Sequence, residues 1–332
     1  GAHAAAVLGG VTAVPALAAA EDAAQPRELQ LVVGDLLEVP GDERGRDTRL
    51  GEQVREVVLN PGPTPRSLTL ELVHFWTGHK GDKFLFRGKQ MAGSTLRELV
   101  RTEIQQRLLA PSAPYNLAAA NGVACTTASI AAAALGIKDL QSLTEVQRRE
   151  IQRAHLLLAM YNAMQPGIFA LSGWDLLGAL PLSSESVKPL LADGDTRWIN
   201  RGAYDLLGQN PTVQRSSAGL PRARTLYGPL VAQLKDPSSF AAQLSKLLRV
   251  RAEYRLNEAE QLPVPRTTAL GLLVLVHNLP AARGVSITAL NFGRTALKES
   301  VTILQGAPGA AVTDLLTGKA AGRLDSARRL NL

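Results

Sequence analysis

The sequence predicts an α/β architecture, a barrel or an open sheet, followed by an all-β antiparallel sandwich. Three observations carry this expectation. Short strand-like runs alternate with segments of helical periodicity along residues 1–262. Along residues 263–332 the helical periods give way to short apolar runs spaced by turns such as "PAARG" and "GAPG". The chain has 332 residues, 45% hydrophobic and 20% charged, which is enough to bury a sizeable core. The two portions are therefore read as separate domains, with the boundary inside Leu262–Thr267.

The opening "GAHAAAVLGGVTAVPALAAA" has the small, apolar character of a signal sequence but neither an initiator Met nor a basic start. Gly9, Gly10 and Pro15 interrupt it, whereas a bilayer span needs about 20 continuous apolar residues. We read it as an interior piece of a longer parent chain and expect no membrane association. Leu29–Val39 is a strand candidate that stops at Pro40-Gly41, and the following "GDERGRDTRLGEQ" carries both charge signs, as a solvated loop does. Val54–Asn60 is the next strand candidate, and "SLTLELVHFW" is ambiguous between strand and helix.

Gly93–Leu109 reads as an amphipathic helix, with Ser94 or Thr95 as N-cap and Leu96, Leu99, Val100, Ile104 and Leu108 as its stripe. "TTASIAAAALGI" reads as a small-residue helix stopped at Gly136. "SLTEVQRREIQRAHLLLAMYNAM" opens on a capping signal and ends before Pro166. "GIFALS" (Gly167–Ser172) then reads as a short buried strand, and Asp236–Leu256 as another helix. Between these, "SSESVKPLLADGDTRWINRGAYDLLG" suits a long loop with short helices. The tail supplies "LGLLVLVHNL", "VSITALNF", "KESVTILQ" and "AVTDLLTG" as strands.

The formal charge of +7 and pI near 9.7 invite an anionic partner, but the Arg residues are scattered and no basic stripe is interleaved with aromatics. No nucleic-acid partner is expected. One cysteine, Cys125, excludes an intramolecular disulfide and a multi-cysteine metal site, which fits a reducing compartment, the cytoplasm. No His, Asp or Glu spacing follows a metal-ligand pattern, so neither a metal nor another cofactor is expected. Self-association remains open.

Three ordered segments, "QPGIFALSGWD", "SSFAAQLSKLLRVRAEYRL" and "VTDLLTG", resemble the last barrel strand, a following helix and the sandwich ending of the α-amylase family, glycoside hydrolase family 13. "LYGPLVAQLKDPSSFAAQLSKLLRVR" and "ALNFGR" are most similar to the trehalose synthase (maltose glucosyltransferase-like) branch. The resemblance covers Leu156–Thr317 well and Val54–Leu109 loosely. It implies the C-terminal part of a (β/α) barrel followed by a β-sandwich, and a retaining glycosyl-enzyme mechanism on α-glucosidic bonds of maltose, trehalose or α-glucan. That mechanism needs two carboxyl groups about 5 Å apart. Where the family carries Asn-His-Asp, this chain has Asn60-Pro61-Gly62, and "ERGRD" (Glu43–Asp47) matches the family's nucleophile signature only superficially. The catalytic carboxylates are therefore not identified. A non-catalytic carbohydrate-binding or structural homologue is the alternative.

An α-linked glucosaccharide needs a flat apolar surface for its C–H face and polar groups for its hydroxyls. Trp174 and Asp175 meet this at the end of "GIFALS"; otherwise Trp174 is a plug and Asp175 a helix cap. Asp195, Arg197, Trp198, Asn200, Arg201 and Tyr204 form a second sugar-compatible set, or a structural Asp–Arg clamp. His79 and Asp82, in the Gly-punctuated "TGHKGDKF", form a third, or an ordinary surface loop. His74 and His155 read as packed core histidines and Cys125 as a small buried residue.

Overall fold

The computed structural model describes residues 29–35 and 79–332, except residues 87, 120, 121, 193–195 and 270; for residues 29–35 and for Arg197 only the backbone is described. Strand β1 (Leu29–Asp35) comes first. A hairpin of β2 (Lys83–Phe86) and β3 (Lys89–Ala92), paired from Lys83 opposite Ala92 to Phe86 opposite Lys89, runs directly into helix α1 (Gly93–Leu108). Phe86 and Leu96 form its small apolar core. The N-cap of α1 is Ala92, with no side-chain cap bond, and Ser94 and Thr95 lie inside the first turn instead of before it.

After the short hairpin β4 (Leu117–Ala119) and β5 (Gly122–Ala124) comes α2 (Thr127–Ala134). Thr126 caps it: its side chain accepts from Ser129 N, and the Ser129 hydroxyl accepts in return from Thr126 N. Gly136, with φ of 75°, ends the helical course as the sequence predicts. Helix α3 (Glu145–Ala163) opens on a second capping box, Thr144 with Gln147. The short helices α4 (Gly173–Leu176), α5 (Ser184–Val187) and α6 (Leu230–Gln233) are followed by α7 (Phe240–Glu253), capped by Ser239.

Beyond α7 lie β6 (Glu260–Gln261), β7 (Leu272–Asn278), β8 (Val285–Asn291), β9 (Ser300–Thr302), β10 (Ala311–Asp314), β11 (Ala320–Arg323) and β12 (Arg329–Asn331). Six strands join in the order β11-β10-β1-β8-β7-β6, and β12 pairs with β9 in a second sheet. The sequence predicts an antiparallel sandwich drawn from the tail alone. The observed large sheet is mixed, because β1 from the N-terminal portion inserts between β8 and β10 and runs parallel to both.

Val274, Val276, Ile287, Val301, Ile303 and Leu330 fill the space between the two sheets. On the opposite face of the large sheet, Leu273, Leu275 and Leu290 pack against Leu157 and Met160 of α3 and Leu247 of α7. Both faces of β7 and β8 are thus buried, which is why "LLVLV" reads as a continuous apolar run and not as an alternating one. The architecture is mixed α/β with a β-rich C-terminal region.

Among the described residues the strands close into no barrel. The strand predicted over Gly167–Ser172 does not form: these residues connect α3 to α4 without joining any sheet. Its anchor is a side chain. The guanidinium of Arg251 on α7, buried, donates to the carbonyls of Ala163, Gln165 (2.6 Å) and Gly167. The last residue of α3 and the two turn residues beyond it are thereby held together, so the apolar run is a capped connection and not a sheet member.

Candidate functional site

The Met164–Gly167 turn leads into Asp175, which is buried inside α4. Asp175 caps no following helix: "LLGAL" instead forms a turn and a short bridge, Ala179 opposite Thr225. That bridge has a local cause. Gly178 adopts φ of 58°, and a Cβ there would lie 2.6 Å from the ring of Tyr227. Only glycine gives both the left-handed backbone and the room for Tyr227 to lie against the turn.

The side chain and backbone of Thr127 and the backbone of Ser172 act on the Asp175 carboxyl to lower it. It therefore sits at the N-terminus of α2, where a negative charge is favoured. Desolvation outweighs these donors, and the carboxyl is pushed up from 3.8 to about 6. No other carboxylate is among the causes of that shift among the described residues.

His155 of α3 closes the other side. Its Nε2 stands 3.8 Å from Asp175 Oδ1, and its Nδ1 lies 3.1 Å from the Tyr227 hydroxyl. The ring stacks against Phe240 with centroids 4.4 Å apart, and full burial pushes the imidazole down to about 3. The His155–Asp175 contact is thus between a neutral ring and a carboxyl, not an ion pair. Burial, followed by the nearby Asp175 charge, pushes the Cys125 thiol up to about 12, which rules out a resting thiolate there. The same two influences raise Tyr227, and burial raises Tyr204.

Asn200 joins the same turn from the far side: its side-chain N–H donates to the Cys125 carbonyl (3.1 Å), while its own carbonyl accepts from the Tyr204 hydroxyl (2.7 Å). Three buried side-chain atoms in this region have no partner: His155 Nε2, Asn200 Oδ1 and Trp198 Nε1. Buried polar atoms are rarely left so. Beside the group lies a cavity of about 80 Å³ lined by Tyr204, Tyr227, Asp205, Arg222 and Thr225. It accommodates waters or a hydroxyl-bearing edge of a ligand, being well below the roughly 300 Å³ at which small-molecule pockets begin.

Of the residues singled out in the sequence, the structure brings Asp175 and Asn200 to one turn. Trp198 packs against Leu182, Val187 and Ala223, with the Arg201 guanidinium 4.5 Å from its ring centroid, a cation–π contact. Trp174 is half-buried on α4. His79 and Asp82 lie apart from the Asp175 group, on the exposed turn into β2, where their side chains hydrogen-bond each other at 2.5 Å. The Arg197 side chain, Asp195, His74, Val54–Asn60, Pro61, Gly62 and the "ERGRD" segment lie outside what is described.

Sequence reasoning missed Thr127, His155 and Tyr227 as partners of Asp175. The available signal was a histidine on the apolar face of a long helix, which sequence alone assigns to packing. Among the described residues, no three His, Cys, Asp or Glu side chains gather as metal ligands, and no helix is long and apolar enough to cross a membrane. No family model matches the chain, and a search of curated proteins gives no match.

Proposed function

We propose that this chain is a carbohydrate-active protein of the α-amylase type, nearest the trehalose synthase branch, and that the Asp175 turn holds an α-linked glucoside such as maltose or trehalose. One observation carries the reading. Two segments singled out for sugar-compatible chemistry, "SGWD" and "TRWINRGAYD", converge on the Cys125–Thr127 turn through Asp175 and Asn200. Unpartnered polar atoms and the Tyr204–Tyr227 cavity adjoin them. Hydroxyl-rich ligands satisfy such atoms, and Asn, Asp and Tyr are the donors and acceptors that orient sugars.

A second reading, a carbohydrate-binding homologue without turnover, is favoured because no other carboxylate among the described residues acts on Asp175, whereas retaining chemistry needs a paired carboxyl about 5 Å away. Incubation of the full chain with maltose and with trehalose, followed by chromatography, separates the two. Interconversion or glucose release supports the enzyme. Saturation-transfer signals from the sugar without turnover, weakened by Asn200→Ala, support the binding homologue. Neither turnover nor binding at millimolar sugar overturns both.

A further inference from the structure

We propose that His155 and Tyr227 form a hydrogen-bond relay that converts the protonation state of Asp175 into the donor or acceptor character of the Tyr227 hydroxyl. The geometry supplies each link. Asp175 Oδ1 faces His155 Nε2 at 3.8 Å, within reach of one bridging water or a small side-chain adjustment. His155 Nδ1 faces the Tyr227 hydroxyl at 3.1 Å, and Tyr227 lines the cavity. Nε2 is fully buried and has no partner of its own, so the ring is held in place by Phe240 and Tyr227 while one nitrogen awaits a hydrogen bond.

A neutral imidazole has one donor and one acceptor nitrogen, and each neighbour dictates which. With Asp175 ionised, the ring proton sits on Nε2 facing the carboxylate, and Nδ1 accepts from the Tyr227 hydroxyl. The Tyr227 oxygen is then left with only its lone pairs. With Asp175 protonated, the carboxyl O–H donates to Nε2, the ring proton sits on Nδ1, and Nδ1–H donates to the Tyr227 oxygen. The tyrosine proton is then free to donate to another acceptor. One proton is taken up overall, and the ring carries a single proton in both states.

The other titratable groups facing this unit do not compete. Cys125 and Tyr204, from the two flanking segments, are both raised by burial and stay protonated across the neutral range, as does Tyr227. Thr127 and Ser172 carry no titratable side chain. Asp205 and Arg222 flank the cavity end. The relay stands on this geometry alone; that the hydroxyl thereby selects a sugar acceptor or donor rests on the proposed α-glucoside reading.

The test is the ¹⁵N spectrum of histidine-labelled full-length chain between pH 4.5 and 8, with the His155 signals identified by their loss in His155→Asn. The expected result is a ring that stays neutral while its proton moves from Nε2 to Nδ1 as the pH falls, with a midpoint close to that of Asp175, about 6. In Asp175→Asn the side chain no longer titrates, so the position of the ring proton is expected not to change with pH. An imidazolium pattern within this range, or a tautomer that does not move with pH in the unmutated chain, overturns the relay. Neither readout involves sugar, so its failure is distinct from failure of the α-glucoside reading.

Discussion

Replacing Asp175 by Asn removes a buried charge at nearly constant shape. In the folded chain the carboxyl is pushed from 3.8 to about 6, so the unfolded chain ionises first and the fold holds more protons between these values. Stability therefore falls as pH rises through this window, and above it the ionised carboxylate costs about 3 kcal/mol relative to a neutral group. His155, pushed down to about 3, and His277, pushed down to about 4, act with opposite sign: both stay neutral in the fold, so the stability they carry is lost as pH falls below 6.5. Subtracting the variant from the unmutated chain isolates the Asp175 contribution. Urea unfolding at pH 4, 5, 6, 7 and 8 should show Asp175→Asn nearly neutral at pH 4 and more stable by about 3 kcal/mol at pH 8. A difference that is flat across pH, or a variant less stable at pH 8, would refute the assignment of Asp175 as a carboxyl whose burial outweighs its donors.

Other perturbations test the frame around the site. Arg251→Met removes the donor to two buried carbonyls, Ala163 and Gln165, and to the part-buried carbonyl of Gly167, and should cost about 3 kcal/mol by urea unfolding, with faster amide exchange at residues 163–167. Gly178→Ala places a Cβ 2.6 Å from the Tyr227 ring at φ of 58°; a loss of about 2 kcal/mol or more, with an altered near-ultraviolet tyrosine signal, is expected. Thr144→Ala removes one half of the α3 capping box and should cost about 1 kcal/mol, with Thr144→Ser recovering most of it.

Elements set by local chemistry were legible. The capping box at Thr144, the stop at Gly136 and the courses of α3 and α7 follow from side chains within one turn of the helix ends. Gly167–Ser172 was not legible, because an apolar run bounded by Pro-Gly suits a strand and a buried connection equally. Arg251, far along the chain, decides between them. In the candidate site, Asp175 and Asn200 were visible as residue types with sugar-compatible chemistry. His155 was not, since a histidine on an apolar helical face looks like packing until Tyr227 and Asp175 are placed on its two nitrogens.

By itself the sequence determined the long helices, the capping box of α3 and the β-rich tail, because these depend on period, propensity and neighbours a few residues away. Only the tertiary structure decided that β1 enters the tail's sheet as a parallel strand between β8 and β10. It also decided that Asp175 meets Thr127, His155 and, through Cys125, Asn200. Those pairings depend on which surfaces bury each other across long separations, and the cost of burying a carboxyl exists only once that surface has closed over it.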